Sequence, residues 1–485
     1  MRNTLKMLGI LCIIAAALFI AACGDLLEAD STYTVKFDSD GGSSVSSQFV
    51  PTDGTGVATK PSDPTKNDLT DPGLYKNFNG YTFVRWELNG APYSFGTPVD
   101  SDITLKATWT LKGEKINLTG SGDDVTKTFT YINAATIATG DKYTLCINEN
   151  ASPTVPLVLN KSKANLTIIS SDATKNITSP DLSGATGNKV FITIGAGANP
   201  TPSSVTTPDK TVSLTLKNVA VVGRKKATGD SLIRVMNGAT LTLDAKSFVI
   251  DHINNAGGSN GANGNGSAIC VINGSTLNIK QGAIIENNQS TSNQENKNLV
   301  GGIYVIGSPV SNPAAAAQNR STVKIEGGSI GDPVNGTPNK CTDGNTADIY
   351  ITELVDLDLN GNVTIGELCI NSDNGIYPGF TISGKVTNTI RKFNLRSTTG
   401  SLKAVQDAWT ATNAKVFSGT ADYDITRNDV AQFKLWEFTG NTSLRGDTSP
   451  DSTKWKNLIY PAYEIDIVDK SGSTPSYGRL VKANS

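Results

Sequence analysis

The chain has 485 residues, of which 18% are charged and 7% aromatic, and its net charge is -2. That length exceeds one ordinary domain and predicts two or three, while the near-neutral balance gives no sign of the basic face that nucleic acid requires. A single histidine, His252, excludes a multi-histidine metal centre and leaves a Ser-His-Asp relay only that residue to use.

Arg2 and Lys6 precede an unbroken apolar run from Met7 to Ala22, the pattern of an export signal. The run falls short of the roughly 20 residues that a spanning helix needs. It ends in Ile20-Ala21-Ala22-Cys23, with small residues where a signal peptidase closes on the backbone. These four residues resemble a bacterial lipobox. The resemblance implies removal of residues 1–22, lipid on Cys23 and a tether over 23–31; the competing reading is an ordinary transmembrane anchor. Gly24 and Asp25 do not resemble an inner-membrane retention signal, so the expected location is the cell envelope, at the outer membrane or cell surface. The expected partners are a membrane, through the lipid, and a host protein or polysaccharide.

Residues 32–110 form the next segment. Tyr33-Thr34-Val35-Lys36-Phe37 alternates apolar and polar, as a half-buried strand does. A turn at Asp38-Ser39-Asp40-Gly41-Gly42 follows, then a loop holding Pro61 and Pro64. Two more alternating strands, Tyr81 to Trp86 and Ile103 to Trp109, carry their aromatic residues on the apolar face. Val35, Phe37, Asp38, Gly41, Gly42, Pro61, Pro64, Gly80, Tyr81, Phe83, Trp86, Tyr93, Phe95, Ile103, Leu105, Ala107 and Trp109 together resemble the Listeria–Bacteroides repeat of internalin-type surface proteins. The resemblance implies a small β-grasp-like module on an extracellular protein. The run from Lys66 to Asn79 is longer than the family's usual link. Asp38 and Asp40 begin like a calcium loop, but Ser43 and Phe49 stand where an EF-hand needs Gly and Glu. Trp86 and Trp109 read as core residues before sugar platforms.

Residues 111–390 repeat internally. Ser231 to Leu243 lies over Ser267 to Ile279 without a gap, bringing Asn237-Gly238 over Asn273-Gly274. Looser copies begin at Leu166, Leu214, Ile303 and Ile349. A unit this short buries its apolar face only by stacking on its neighbours, which is the logic of a solenoid. The sequence therefore predicts an all-β chain, a parallel β-helix following the small module. The pattern resembles the right-handed β-helix of pectin-lyase-like and adhesin proteins. The alternative is a sandwich of hairpins, since Asn-Gly also favours hairpin turns. Inserts at Asn254–Gly266 and Ser308–Arg320 project as side loops of the kind that carry binding. Beyond residue 390 the pattern changes to a short helix holding Leu402, Val405, Ala408 and Trp409. Strands follow at Phe433–Phe438 and at Tyr463–Ile467, the latter pairing with Gly478–Val481. Residues 391–485 are expected to cap the open end.

Cys12 and Cys23 belong to the signal. Cys146, Cys270, Cys341 and Cys369 form no CxxC pair, which argues against zinc, and they read as buried apolar fillers with disulfides left open. Gly257–Gly266 lacks the Lys of a phosphate-binding loop. Stacking brings Asp244, Asp251, His252 and Glu286 toward one edge, where paired carboxylates could hydrolyse a glycosidic bond. The competing role for these residues is to satisfy turn backbone groups. No cofactor and no metal is expected. The leading expectation is a non-enzymatic surface adhesion or ligand-binding lipoprotein. The alternatives are a polysaccharide hydrolase or lyase using Asp244, Asp251 and Glu286, and a purely structural envelope protein.

Overall fold

The computed structural model describes residues 31–172, 174–182, 189–195, 208–224, 230–254, 267–290, 300–307, 320–332, 334–341, 348–352, 354–371, 379–387, 389–396, 415–430, 433–439 and 463–482. The expected signal, Cys23, most of both side inserts and the expected helix around Leu402 lie outside them. Strands make up 48% of the structure and helix 4%. The chain divides into two units, one running to Asp68 and resuming over Asn79–Lys112, the other made of Leu69–Phe78 and the chain from Gly113 onward.

The first unit is a five-stranded mixed sheet. Its strands lie in the spatial order Gln48–Pro51, Thr32–Asp38, Ile103–Leu111, Tyr81–Leu88, Ala91–Pro92. The central pair, Thr32–Asp38 with Ile103–Leu111, is parallel, and the other pairs are antiparallel. Period-two alternation sends Val35, Phe37, Leu105 and Ala107 to one face, where they meet Trp86 in a common core. The Phe37 and Trp86 rings meet edge to face at 5.0 Å.

The second unit is built from parallel strands in three long ladders, beside a short fourth one of Ile253–Asn254, Gln289–Ser290 and Lys340–Cys341. The first ladder runs through Tyr143–Ile147, Asn165–Ser170, Ser213–Lys217, Thr240–Leu243 and Thr276–Ile279 into the longer strands Ser321–Ile330, Val355–Asn371 and Gly379–Thr387. The second runs through Lys175–Thr178, Val219–Val222, Phe248–Ile250 and Ile284–Glu286. The third runs through Leu157–Leu159, Ile192–Ile194, Ile233–Val235, Ile269–Ile272, Ile303–Ile306 and Ile349–Ile351. The chain visits the ladders in turn, so each apolar column comes from successive repeats. Leu166, Leu214, Leu241, Leu277, Val323 and Leu357 stand in register, each at most 1% exposed. One hydrophobic core runs the length of the stack.

The Asn-Gly corners decide between the parallel stack and the sandwich of hairpins. Asn237, Gly238, Asn273 and Gly274 all have positive φ, as in a hairpin turn. Yet Ile233–Val235 and Thr240–Leu243, which flank the first corner, pair with the strands of the next repeat and in parallel. The corner therefore passes the chain from the third ladder to the first, and the hairpin alternative fails here. Asn tolerates the left-handed conformation because its short amide bonds locally. Asn273 Nδ2 donates to Asn237 Oδ1 at 3.1 Å, 36 residues away, and so repeats the sequence offset in space.

Both ends depart from the parallel pattern. Near the start, Asp124–Ala134 is a helix, an element absent from the sequence-based expectation. Asp123 caps it by accepting from Thr126 N at 2.8 Å. Its buried residues Val125, Thr128, Phe129 and Ile132 follow helical spacing. Toward the other end, parallel pairing continues beyond residue 390, because Ile390–Arg396 pairs with both Val355–Asn371 and Phe433–Thr439. Parallel pairing thus crosses residue 390, where the repeat's spacing is lost from the sequence. The antiparallel part is smaller: Tyr463–Val468 pairs with Tyr477–Lys482, matching Ile465 with Leu480, and Tyr477–Lys482 also pairs with Lys415–Ser418.

Candidate functional site

Asp251 and Asn287 occupy equivalent corners of adjacent turns, both at positive φ, and Asn287 Nδ2 donates to Asp251 Oδ1. Glu286 stands beside them on the second ladder. Its Oε2 accepts Thr337 N at 3.0 Å and lies tight against Gly336, where a Cβ would come within 2.4 Å. Asp244 sits at the previous corner, where its Oδ1 accepts Ala245 N at 2.7 Å and its carbonyl accepts Ser247 N. The structure thus puts Asp251 and Glu286 on neighbouring turns and gives each acid a donor from the fold itself.

His252 is packed inside, 2% exposed. Its Nε2 lies 3.0 Å from the carbonyl oxygen of Asp230, and its backbone N donates to Asn288 Oδ1 at 3.1 Å. Burial lowers its pKa to about 4, against that hydrogen bond, so the ring is neutral near pH 7. A neutral, inaccessible imidazole tied to a backbone carbonyl serves packing.

The polar chain continues inward from His252. Asn288 Nδ2 donates to Asn339 Oδ1 at 2.8 Å, and Asn339 Nδ2 donates to Asp348 Oδ1 at 2.8 Å. Asn339 N and Glu367 N also donate to the Asp348 carboxylate, at 3.1 and 2.7 Å. Burial pushes the Asp348 pKa up to about 8, opposed by those donors, and the Glu367 charge adds to the rise.

The outward positions of the ladders differ in chemistry. On the first, Thr242, Asn278, Lys324 and Asp358 stand in register, polar and partly or fully exposed. On the third, the register runs Arg234, Cys270, Tyr304, Tyr350, Cys369, Asn394, and all six are buried. The Tyr304 and Tyr350 rings stack at 5.6 Å and 1°, close to the spacing of adjacent strands. Cys270, Tyr304, Tyr350 and Cys369 share a second, smaller apolar cluster with Met236, Ile272 and Val300. Arg234 pairs with Asp230, whose pKa burial raises against the guanidinium. Cys146, Cys270 and Cys369 are free thiols, and burial pushes Cys146 and Cys270 up to about 11, which leaves both protonated and unreactive at neutral pH. The sequence carries a signal for this strip in the repeated Ile-Tyr of 303–304 and 349–350. It is legible as repetition, but not as a covered outward face.

In the first unit, Asp40 pairs with Lys106 at 2.9 Å and with Lys66 at 3.6 Å, and Lys106 chiefly lowers its pKa. Asp38 Oδ1 accepts Asp40 N at 2.9 Å, so both acids are used in the turn. Trp86 is 2% exposed, and Trp109 Nε1 donates to Ser39 O at 3.1 Å. Lys66 lies over the Tyr81 ring at 4.9 Å. This aromatic sheet carries the residues that mark a known module. Residues 33–108 match the Listeria-Bacteroides repeat domain. The match spans most of the first unit and the strand at Gly73–Lys76. No curated protein and no solved structure matches the chain. Among the described residues no cluster of three or more His, Cys, Asp or Glu is placed to hold a metal ion, and no helix is long and apolar enough to cross a membrane.

Proposed function

We propose that the chain is an exported lipoprotein, held to a membrane through lipid on Cys23, that displays a β-grasp-like repeat domain and a right-handed parallel β-helix as a non-enzymatic adhesion or ligand-binding surface. The lipobox-like Ile20-Ala21-Ala22-Cys23 supports the anchor. The repeat domain supports an extracellular setting. The crossover preference of parallel strands supports the right hand. The observation that carries the non-enzymatic reading is how the corner acids are used. Asp244 and Glu286 accept backbone N–H groups, and Asp251 accepts an asparagine amide. These are the bonds of residues that shape corners.

Two experiments test this reading. Cys23→Ser should move the protein from the membrane to the soluble fraction; unchanged membrane retention would remove the lipid from the proposal. Deleting residues 254–266 and 308–320 should lower binding to polysaccharide or host-protein ligands. A purely structural envelope protein would behave the same with or without them.

The rival reading is a polysaccharide hydrolase or lyase. The placement of Asp251 and Glu286 on adjacent turns favours it, and an activity abolished by Asp251→Asn would establish it.

A further inference from the structure

Residues 66–81 make an excursion from the first unit. Tyr81 N donates to Lys66 O at 2.9 Å, and a Cβ on Gly80 would lie 3.4 Å from Asn67 Cα. The chain therefore leaves the first unit and returns to it at one place, the geometry at which insertions are tolerated. Between these points, Leu69–Phe78 belongs to the second unit. Gly73–Lys76 is a strand lying between Glu114–Ile116 and Tyr143–Ile147, antiparallel to both, with Leu74 opposite Ile116 and Leu145.

The fit is that of a core element. Leu74 is 0% exposed within the main core, and Tyr75 is 1% exposed. The Cys146 thiol donates to Leu69 O at 3.7 Å. Lys76 pairs with Asp141 at 2.9 Å, and Asn77 N donates to Lys142 O at 2.7 Å. Tyr143–Ile147 begins the first parallel ladder, so Gly73–Lys76 occupies the edge at which that ladder would otherwise stay open.

We infer that residues 69–78 are a donated strand: the repeat domain lends it to the second unit, which needs it to close the starting edge of its parallel stack. The partner that this edge recognises is a short extended segment with Leu74 and Tyr75 side by side at its centre, and a free segment of that sequence is able to take the same place.

The test joins Asp68 to Asn79 in the otherwise complete chain and follows amide hydrogen exchange. Protection at Tyr143–Ile147 should fall at least about tenfold, while Val35 and Leu105 in the repeat domain keep theirs. A peptide of residues 69–78, added in excess, should restore protection at Tyr143–Ile147, and a scrambled peptide should not. Unchanged protection on excision, or no response to the peptide, would overturn the inference. Should the excised chain fail to fold, Leu74→Asp in the intact chain serves instead. It should expose Tyr143–Ile147 and leave the repeat domain as it was; loss spread evenly over both units would overturn the donated-strand assignment.

Discussion

Asp348→Ala is expected to destabilise the second unit by about 3–5 kcal/mol, read as a lowered urea midpoint. Three donors, Asn339 N, Asn339 Nδ2 and Glu367 N, converge on the carboxylate, and alanine leaves them buried without it. Each stranded donor costs about 1–3 kcal/mol, and the effects in one network are not additive. Gly331 and Gly366 press so close that a Cβ at either would fall within 2.3 Å of an Asp348 oxygen, so the carboxylate fills its site.

The same group sets a pH dependence. Its folded pKa, about 8, lies above the ordinary 3.8, so folding takes up a proton. The stability this contributes is complete below pH 3.8 and is lost as pH rises toward 8. His252 acts with the opposite sign: its folded pKa of about 4 lies below 6.5, so its contribution is present above 6.5 and is lost as pH falls toward 4. Stability measured between pH 6.5 and 8, where His252 no longer contributes a slope, should therefore fall with pH in the wild type and flatten in Asp348→Asn. An unchanged slope would assign the decline to other groups.

Arg234→Ala is the second large effect, expected at about 3–5 kcal/mol. Arg234 is 4% exposed and pairs with Asp230, so truncation takes the main cation from a largely buried carboxylate and leaves Lys189 and the backbone donors to hold it. Next along the strip are Cys270 and then Tyr304, which carry no positive charge. Replacing Asp230 and Arg234 together by apolar residues of similar volume should recover much of the loss, because the cost lies in the uncompensated charge. A double variant as unstable as the single would instead place the cost in packing.

The repeat is legible in the sequence because the apolar columns and the Asn-Gly corners share one offset. Leu241 over Leu277 and Asn237 over Asn273 follow from aligning the two copies, and the same pairs are in register in space. The corner acids are legible as neighbours for the same reason. The route of the chain between the units is not. Leu74 and Tyr75 sit among Pro, Asp, Lys and Asn, so the segment reads as a long loop, and only its long-range antiparallel partners make it a strand. The buried Asn288, Asn339 and Asp348 escape sequence reasoning because polar residues in loop-like sequence read as exposed. What buries them is stacking at residue separations of 51 and 9, which local periodicity does not register. The third ladder's outward strip escapes for a related reason: a run such as Ile303-Tyr304-Val305 fits a strand buried on both faces, but period alone does not say what the second face meets.

The non-enzymatic reading is tested most directly by incubating residues 24–485 with a panel of polysaccharides, with and without calcium, and assaying for new chain ends. Intact polysaccharides, with some retained on the folded protein, are the predicted result. New chain ends that disappear in Asp251→Asn would contradict it and make the corner of Asp251 and Glu286 an active site.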